Sequence, residues 1–155
     1  MSAIFTQKEE ETGRVPALYR ALANAPRLLQ AWTDLALPLR YEVSAPRALR
    51  ELMILRIAHL RRSRHEAEAH RRFAIEAGVP MAKIDAVADW RASEAFDEPE
   101  RACLELVDTM TLSTRVPDGS YAGVRRLFTP AEQVELVLTV AFYHCVSSTL
   151  AALDL

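Results

Sequence analysis

Residues 44–78 read SAPRALRELMILRIAHLRRSRHEAEAHRRFAIEAG. Ser44 is a cap candidate, and Pro46 has the fixed φ that suits the first turn of a helix. Leu49, Leu52, Met53, Leu55 and Ile57 then recur at helical spacing over about 46–61, dense enough to predict a helix mostly buried in a core. Ser63 opens a second helix. The spacing from Ser63 to Glu66 fits a capping box, in which each side chain satisfies a free backbone N–H near the other. Gly78 closes that helix, because glycine takes the left-handed conformation without steric cost. Two helices joined by a short turn are an αα-hairpin, and this one decides the fold class.

Outward from it the same signals repeat. Residues 16–22 predict a short helix. Asn24 is a cap candidate for the next, with Pro26 in its first turn, Leu28, Leu29, Trp32, Leu35 and Ala36 turned inward, and Pro38 ending or kinking it. Pro80 starts a short helix ending near Asp89, and 91–97 reads as a loop. Further helices run from about Pro99 to Thr114, from Pro117 and Asp118, and from a second capping box, Thr129 to Glu132, to about Ala152. No run alternates with strand period. The expectation is an all-α, single-domain helical bundle of about seven or eight helices over 15–155, after a flexible arm at 1–14.

The 155 residues suit one core, with half of them apolar and 26% charged. A net charge of −2 and a pI near 6.1 argue against nucleic acid as a partner, because phosphate binding needs a basic field. No apolar run is expected to reach the roughly 20 residues that span a bilayer, so no membrane partner is expected. The opening MSAIFTQKEEETGR lacks the basic start and apolar stretch of a signal peptide. Cys103 and Cys145 each sit in an apolar helical stretch and read as small buried hydrophobes. A cytoplasmic location is the expectation.

The densest titratable segment is Ser63-Arg64-His65-Glu66-Ala67-Glu68-Ala69-His70. Glu66 and His70 are four apart and share a helix face, so the carboxylate can orient the imidazole and the pair can relay protons near neutral pH. Glu51 lies on the apolar helix before it, where burial would raise its pKa and suit it to proton transfer. Each residue has a plainer reading. Glu66 caps Ser63, Glu66 and His70 form an exposed helix pair, His65 is solvated, and Glu51 lies on an exposed edge beside Arg47 or Arg50. His65, Glu66 and His70 lack the His-Glu-x-x-His spacing, so no metal is expected.

The order of segments carries a resemblance. Arg50-Glu51-Leu52-Met53-Ile54-Leu55-Arg56 resembles the R-E-L-x-I-L-R helix of the carboxymuconolactone decarboxylase family. His65 to His70 resembles its Y-E-W-x-x-H segment, and Ala74 to Pro80 its Ala-Gly turn. Trp90, the stretch 96–101, Val134 to Val137 and Phe142-Tyr143 match later landmarks. The similarity spans about 15–153 and implies the fold of alkyl hydroperoxidase D. The family's peroxidase branch carries Cys-x-x-Cys, a histidine between the cysteines, another four after the second, and a glutamate twelve before the first. Carried over, the glutamate falls on Glu51, the histidines on His65 and His70, and the two cysteines on Ser63 and Glu66. A serine and a glutamate cannot cycle through thiolate and disulfide, so thiol peroxidase activity is not expected.

Glutamate at the second cysteine position resembles the family's decarboxylases, although their tryptophan after it is Ala67 here. The resemblance implies a lyase or proton-transfer enzyme, without a cofactor, acting on a small carboxylated lactone or related organic acid. His70 would be the acid/base, Glu66 its orienting group and Glu51 a second carboxyl. His65 and Ser63 would be substrate contacts, with Arg56 a candidate for the substrate carboxylate. A homotrimer or homohexamer is implied in either an enzyme or a non-catalytic ligand-binding member.

Overall fold

The computed structural model describes residues 2–155, apart from the side chains of 2, 3, 7, 11 and 12. The described residues contain helices and no strand. The chain divides into two compact units, one of Met1–Glu42 with Ser148–Leu155, the other of Val43–Ser147. Residues 15–155, expected as one domain, are shared between them.

The first unit holds α1 (Ser2–Thr12), α2 (Ala17–Leu22) and α3 (Pro26–Tyr41). The stretch expected as an arm is thus helical from Ser2 to Thr12, and the Lys8 ammonium lies 5.2 Å from the centre of the Tyr19 ring. Its Glu, Gln and Lys residues are good helix formers, which an apolar pattern alone does not register. Asn24 does not cap α3. Ala25 holds that place, and the Asn24 amide donates to the Ala21 carbonyl at 2.9 Å. Pro38 does not end α3, which runs one turn further. Only the N–H that would reach the Asp34 carbonyl is missing there, a small loss near a helix end. Leu29 is buried, but Leu28 and Leu35, expected to face inward, are 64% and 42% exposed.

The second unit is built around α4 (Arg47–Leu60), followed by α5 (Arg64–Glu76), α6 (Met81–Ala86), a 3-10 helix (Val87–Ala92), α7 (Glu98–Leu112), α8 (Asp118–Leu127) and α9 (Pro130–Ala152), whose last residues belong to the first unit. Every residue of α4 from Leu49 to Ala58 is buried. One side of it, Leu49, Met53 and Ile57, packs with Cys103, Leu106 and Val107 of α7, Val124 of α8, and Leu136 and Val140 of α9. The other side, Leu52 and Leu55, packs with Ala74 of α5, Ile84 of α6, Val87, Trp90 and Phe96. Each such side chain contributes about 1.5–3 kcal/mol on burial. A helix wrapped all round leaves no water for its polar residues, so Arg50, Glu51 and Arg56 must find partners inside the protein.

The ends of the central hairpin follow from local chemistry. At the end of α5, Gly78 takes φ +82°, and the Val79 N–H reaches back to the Ala74 carbonyl at 2.9 Å. The end of α4 repeats this with Arg62 at φ +54°, where the Ser63 N–H bonds the Ala58 carbonyl at 2.9 Å. An arginine in that conformation costs about 1–2 kcal/mol, and the turn it makes brings α5 back onto α4. Ser44 does not cap α4, since Pro46 precedes its first residue. The Thr129–Glu132 box forms as expected, and Asp97 with Glu100 makes another at the start of α7.

The α9 helix corrects the membrane expectation in one respect. By length and composition alone, its 23 residues are long and apolar enough to cross a bilayer. Only a third of its most apolar stretch is buried, although Leu136 and Val140 belong to the core.

Candidate functional site

Glu51 sits mid-way along α4, and Glu66 and His70 lie one turn apart on α5, on the face turned toward α4. The exposures of these three residues are 6%, 7% and 6%. The imidazole lies between the two carboxylates. Its Nδ1 is 2.6 Å from Oε2 of Glu51, and its Nε2 is 3.6 Å from Oε2 of Glu66. The first is a short charge-assisted hydrogen bond, with the Nδ1–H donating to the Glu51 carboxylate. The second is too long for a direct hydrogen bond. Two rings meet the imidazole edge-on: Phe73 of α5 at 5.4 Å and Tyr143 of α9 at 4.9 Å between centroids.

The structure therefore brings together Glu51, Glu66 and His70: Glu51, from the other helix, pairs with Nδ1, and Glu66 stands on the Nε2 side. The capping reading of Glu66 fails: Ser63 precedes α5, yet its side chain makes no capping hydrogen bond. Burial holds the Glu66 carboxyl above its usual value of 4.5, with Glu51 adding to the rise and His70 and His65 opposing it. Folding thus favours the neutral acid. The resulting stability is fully present below the unfolded value and is lost as pH rises through the folded one. Replacing Glu66 with glutamine removes that dependence. Urea denaturation at pH 4, 6 and 8 is expected to show the wild type losing ground to the variant as pH rises. A wild type that gains ground over this range would mean that His70 favours the ionised form more than burial opposes it.

Cationic groups complete the site. Arg47, one turn before Glu51, places Nε 3.6 Å from Oε1 of Glu51 and Nη2 3.7 Å from Oε2 of Glu76. Arg50 is buried, and its Nε donates to the Ala45 carbonyl at 3.1 Å. Burial lowers its pKa while Glu51, Tyr143 and Glu135 act to keep it charged. The Ala45 N–H donates in turn to Glu135 of α9 at 2.8 Å, which ties the start of α4 to α9.

Three expected residues lie apart from this chemistry. Arg56 is a correction. Its Nε and Nη2 donate to Asp108 of α7 at 2.6 and 3.2 Å, and its Nη1 to the Ala88 carbonyl at 2.5 Å, so its donors serve the core. Its position, five after Glu51, turns it to another side of α4. His65 is exposed and touches the site only through its charge on Glu66, and Ser63 is half-buried at the start of α5. Tyr143, Phe73 and Arg47 are not assigned by the sequence. For Arg47 the signal was its four-residue spacing from Glu51; for the two rings, packing around His70 is a tertiary matter. Cys103 is buried in the core, its thiol pushed up to about 12 by burial, while Cys145 is exposed on α9.

The model of the carboxymuconolactone decarboxylase family matches residues 26–109, the span that carries all three groups of the site. This chain belongs to that family. A relative from Bacillus subtilis (strain 168), the uncharacterized protein YdfG, is 30% identical over 99 residues, which are 63% of this chain and 67% of YdfG. Among solved structures, the fold is shared with a protein of unknown function from Agrobacterium tumefaciens, ATU0492, a candidate antioxidant defence protein AhpD (TM-score 0.77, 21% identity, 85% of this chain and 91% of that one). It is shared also with the debrominase Bmp8 in complex with 2,3,4-tribromopyrrole (0.84, 17%, 98% and 82%). A peroxidase-related protein from Silicibacter sp. TM1040 matches similarly (0.84, 17%, 97% and 81%). The all-α architecture of this family member is thus the AhpD-like one.

Proposed function

We propose that this carboxymuconolactone decarboxylase family member is a cofactor-independent proton-transfer enzyme, acting as a lyase on a small unsaturated or lactone carboxylate. The supporting observation is the buried imidazole with a carboxylate at each ring nitrogen. Glu51 fixes the ring through Nδ1 and stabilises the imidazolium, which leaves Nε2 as the atom that gives and takes a proton. In a decarboxylation the bond to the carboxylate carbon breaks, carbon dioxide leaves, and the electron pair passes into a conjugated carbonyl as an enolate. The Nε2–H then protonates the carbon. Glu66, held toward its neutral form beside Nε2, can restore that proton after each turnover.

Thiol peroxidase chemistry has no part in this proposal. By the family resemblance Ser63 and Glu66 fall at the two cysteine positions, and the buried thiol of Cys103 is a poor nucleophile at neutral pH. Self-association in the cytoplasm belongs to the same reading, and the exposed Leu112, Val134 and Leu138 favour it. A second reading, an oligomeric module that binds an organic acid without turning it over, rests on that apolar surface.

The test is a set of lactone and enoate carboxylates incubated with the protein in deuterated water and followed by NMR. Release of carbon dioxide with one deuterium placed on the product carbon is expected. Binding without turnover across the set would favour the module.

A further inference from the structure

We infer that Arg47 binds the substrate's carboxylate and thereby limits the site to singly charged organic acids with a flat, unsaturated body. The inference rests on the proposed reading of the Glu51–His70–Glu66 site and adds its recognition group.

Three observations lead to Arg47. Of these four ionisable groups it is the one that solvent reaches most: its side chain is 39% exposed, against 7% for those of Glu51 and His70 and 9% for Glu66. A ligand entering from water therefore meets this guanidinium first. Its hydrogen-bonding capacity is also unspent. The Nε atom is shielded from solvent and has no hydrogen-bond partner, and both carboxylates near the guanidinium stand at ion-pair distance, 3.6 Å for Glu51 and 3.7 Å for Glu76. An arriving carboxylate can gain a two-pronged, charge-assisted pair with the outer nitrogens of this guanidinium without breaking an existing hydrogen bond. Finally, the other arginines of α4 are committed elsewhere, Arg50 to the Ala45 carbonyl and Arg56 to Asp108 and Ala88.

The position suits the chemistry. One oxygen of Glu51 faces Arg47 and the other holds His70, so a single carboxylate separates the recognition group from the proton donor. One guanidinium beside Glu51 matches one carboxylate, and the Glu51 carboxylate disfavours a second anion deeper in. The edges of Phe73 and Tyr143 around the imidazole favour a planar carbon skeleton over a polyhydroxylated one.

Benzoate and benzamide serve as probes, since they share shape and differ in charge. Titrated into the full chain and followed by NMR, benzoate is expected to bind at least ten-fold more tightly than benzamide. Arg47→Gln abolishes that preference, Arg47→Lys keeps part of it, and Arg125→Gln leaves it unchanged, with thermal melts confirming that each variant folds. Turnover separates the two readings: if His70→Gln retains turnover, the catalytic reading fails while the binding result stands. A preference that survives in Arg47→Gln, or benzoate that binds the wild type no better than benzamide, overturns the inference.

Discussion

Replacing His70 with glutamine is expected to lower kcat on the proposed carboxylate substrate by about 10²–10⁴-fold, the range for losing a positioned general acid/base. Glutamine keeps most of the volume between Phe73 and Tyr143 and can still hydrogen-bond Glu51, so the fold should survive; it cannot carry a proton to carbon. The loss belongs in kcat more than in KM, because in the proposed reaction the imidazole acts on the reacting carbon and not on the carboxylate handle. Glu51→Gln provides the comparison. It keeps a hydrogen bond at Nδ1 but removes the charge that stabilises the imidazolium, so a smaller loss is expected, with a shift in the pH dependence of kcat. A His70→Gln protein with unchanged kcat and normal folding would leave the site without an acid/base.

The second large effect concerns stability. Asp108 accepts from Arg56 Nε at 2.6 Å, Arg56 Nη2 at 3.2 Å, Trp90 Nε1 at 3.1 Å and Arg91 Nη2 at 3.3 Å, and it is 5% exposed. This one carboxylate ties α4 and the 3-10 helix to α7. Asp108→Ala leaves the Arg56 guanidinium with its charge buried and uncompensated, and the indole N–H with one partner fewer. The expected cost is about 3–5 kcal/mol, the range for removing one partner of a buried ion pair. Urea denaturation at neutral pH measures it. The Arg56→Met, Asp108→Leu double variant should recover a large part of the loss, since an apolar pair leaves no stranded charge. A loss below about 1 kcal/mol for Asp108→Ala would mean that water reaches Arg56.

Most helices were legible in the sequence because their signals are local. Helical spacing in 46–61, the Thr129–Glu132 box and Gly78 each act within a few residues, and each appears as expected. Cap assignments at Asn24 and Ser44 failed for a related reason: a capping side chain is one of several ways to satisfy the first N–H groups, and solvent serves as well. The first helix was missed because a polar stretch can be helical without an apolar face.

The site divides differently. The sequence by itself determined which residues are available: a carboxylate on an apolar helix, and a carboxylate and an imidazole four apart on the next. Only the tertiary structure decided how they are used. Glu66 could have turned back to the start of α5, and instead faces His70. Glu51, nineteen positions away from His70, reaches its Nδ1, and Arg56, read as a substrate contact, is held by Asp108. The physical reason is burial. Once α4 is enclosed on every side, each of its polar groups must take the partner that packing brings within reach, and sequence spacing along one helix does not say which neighbour that is.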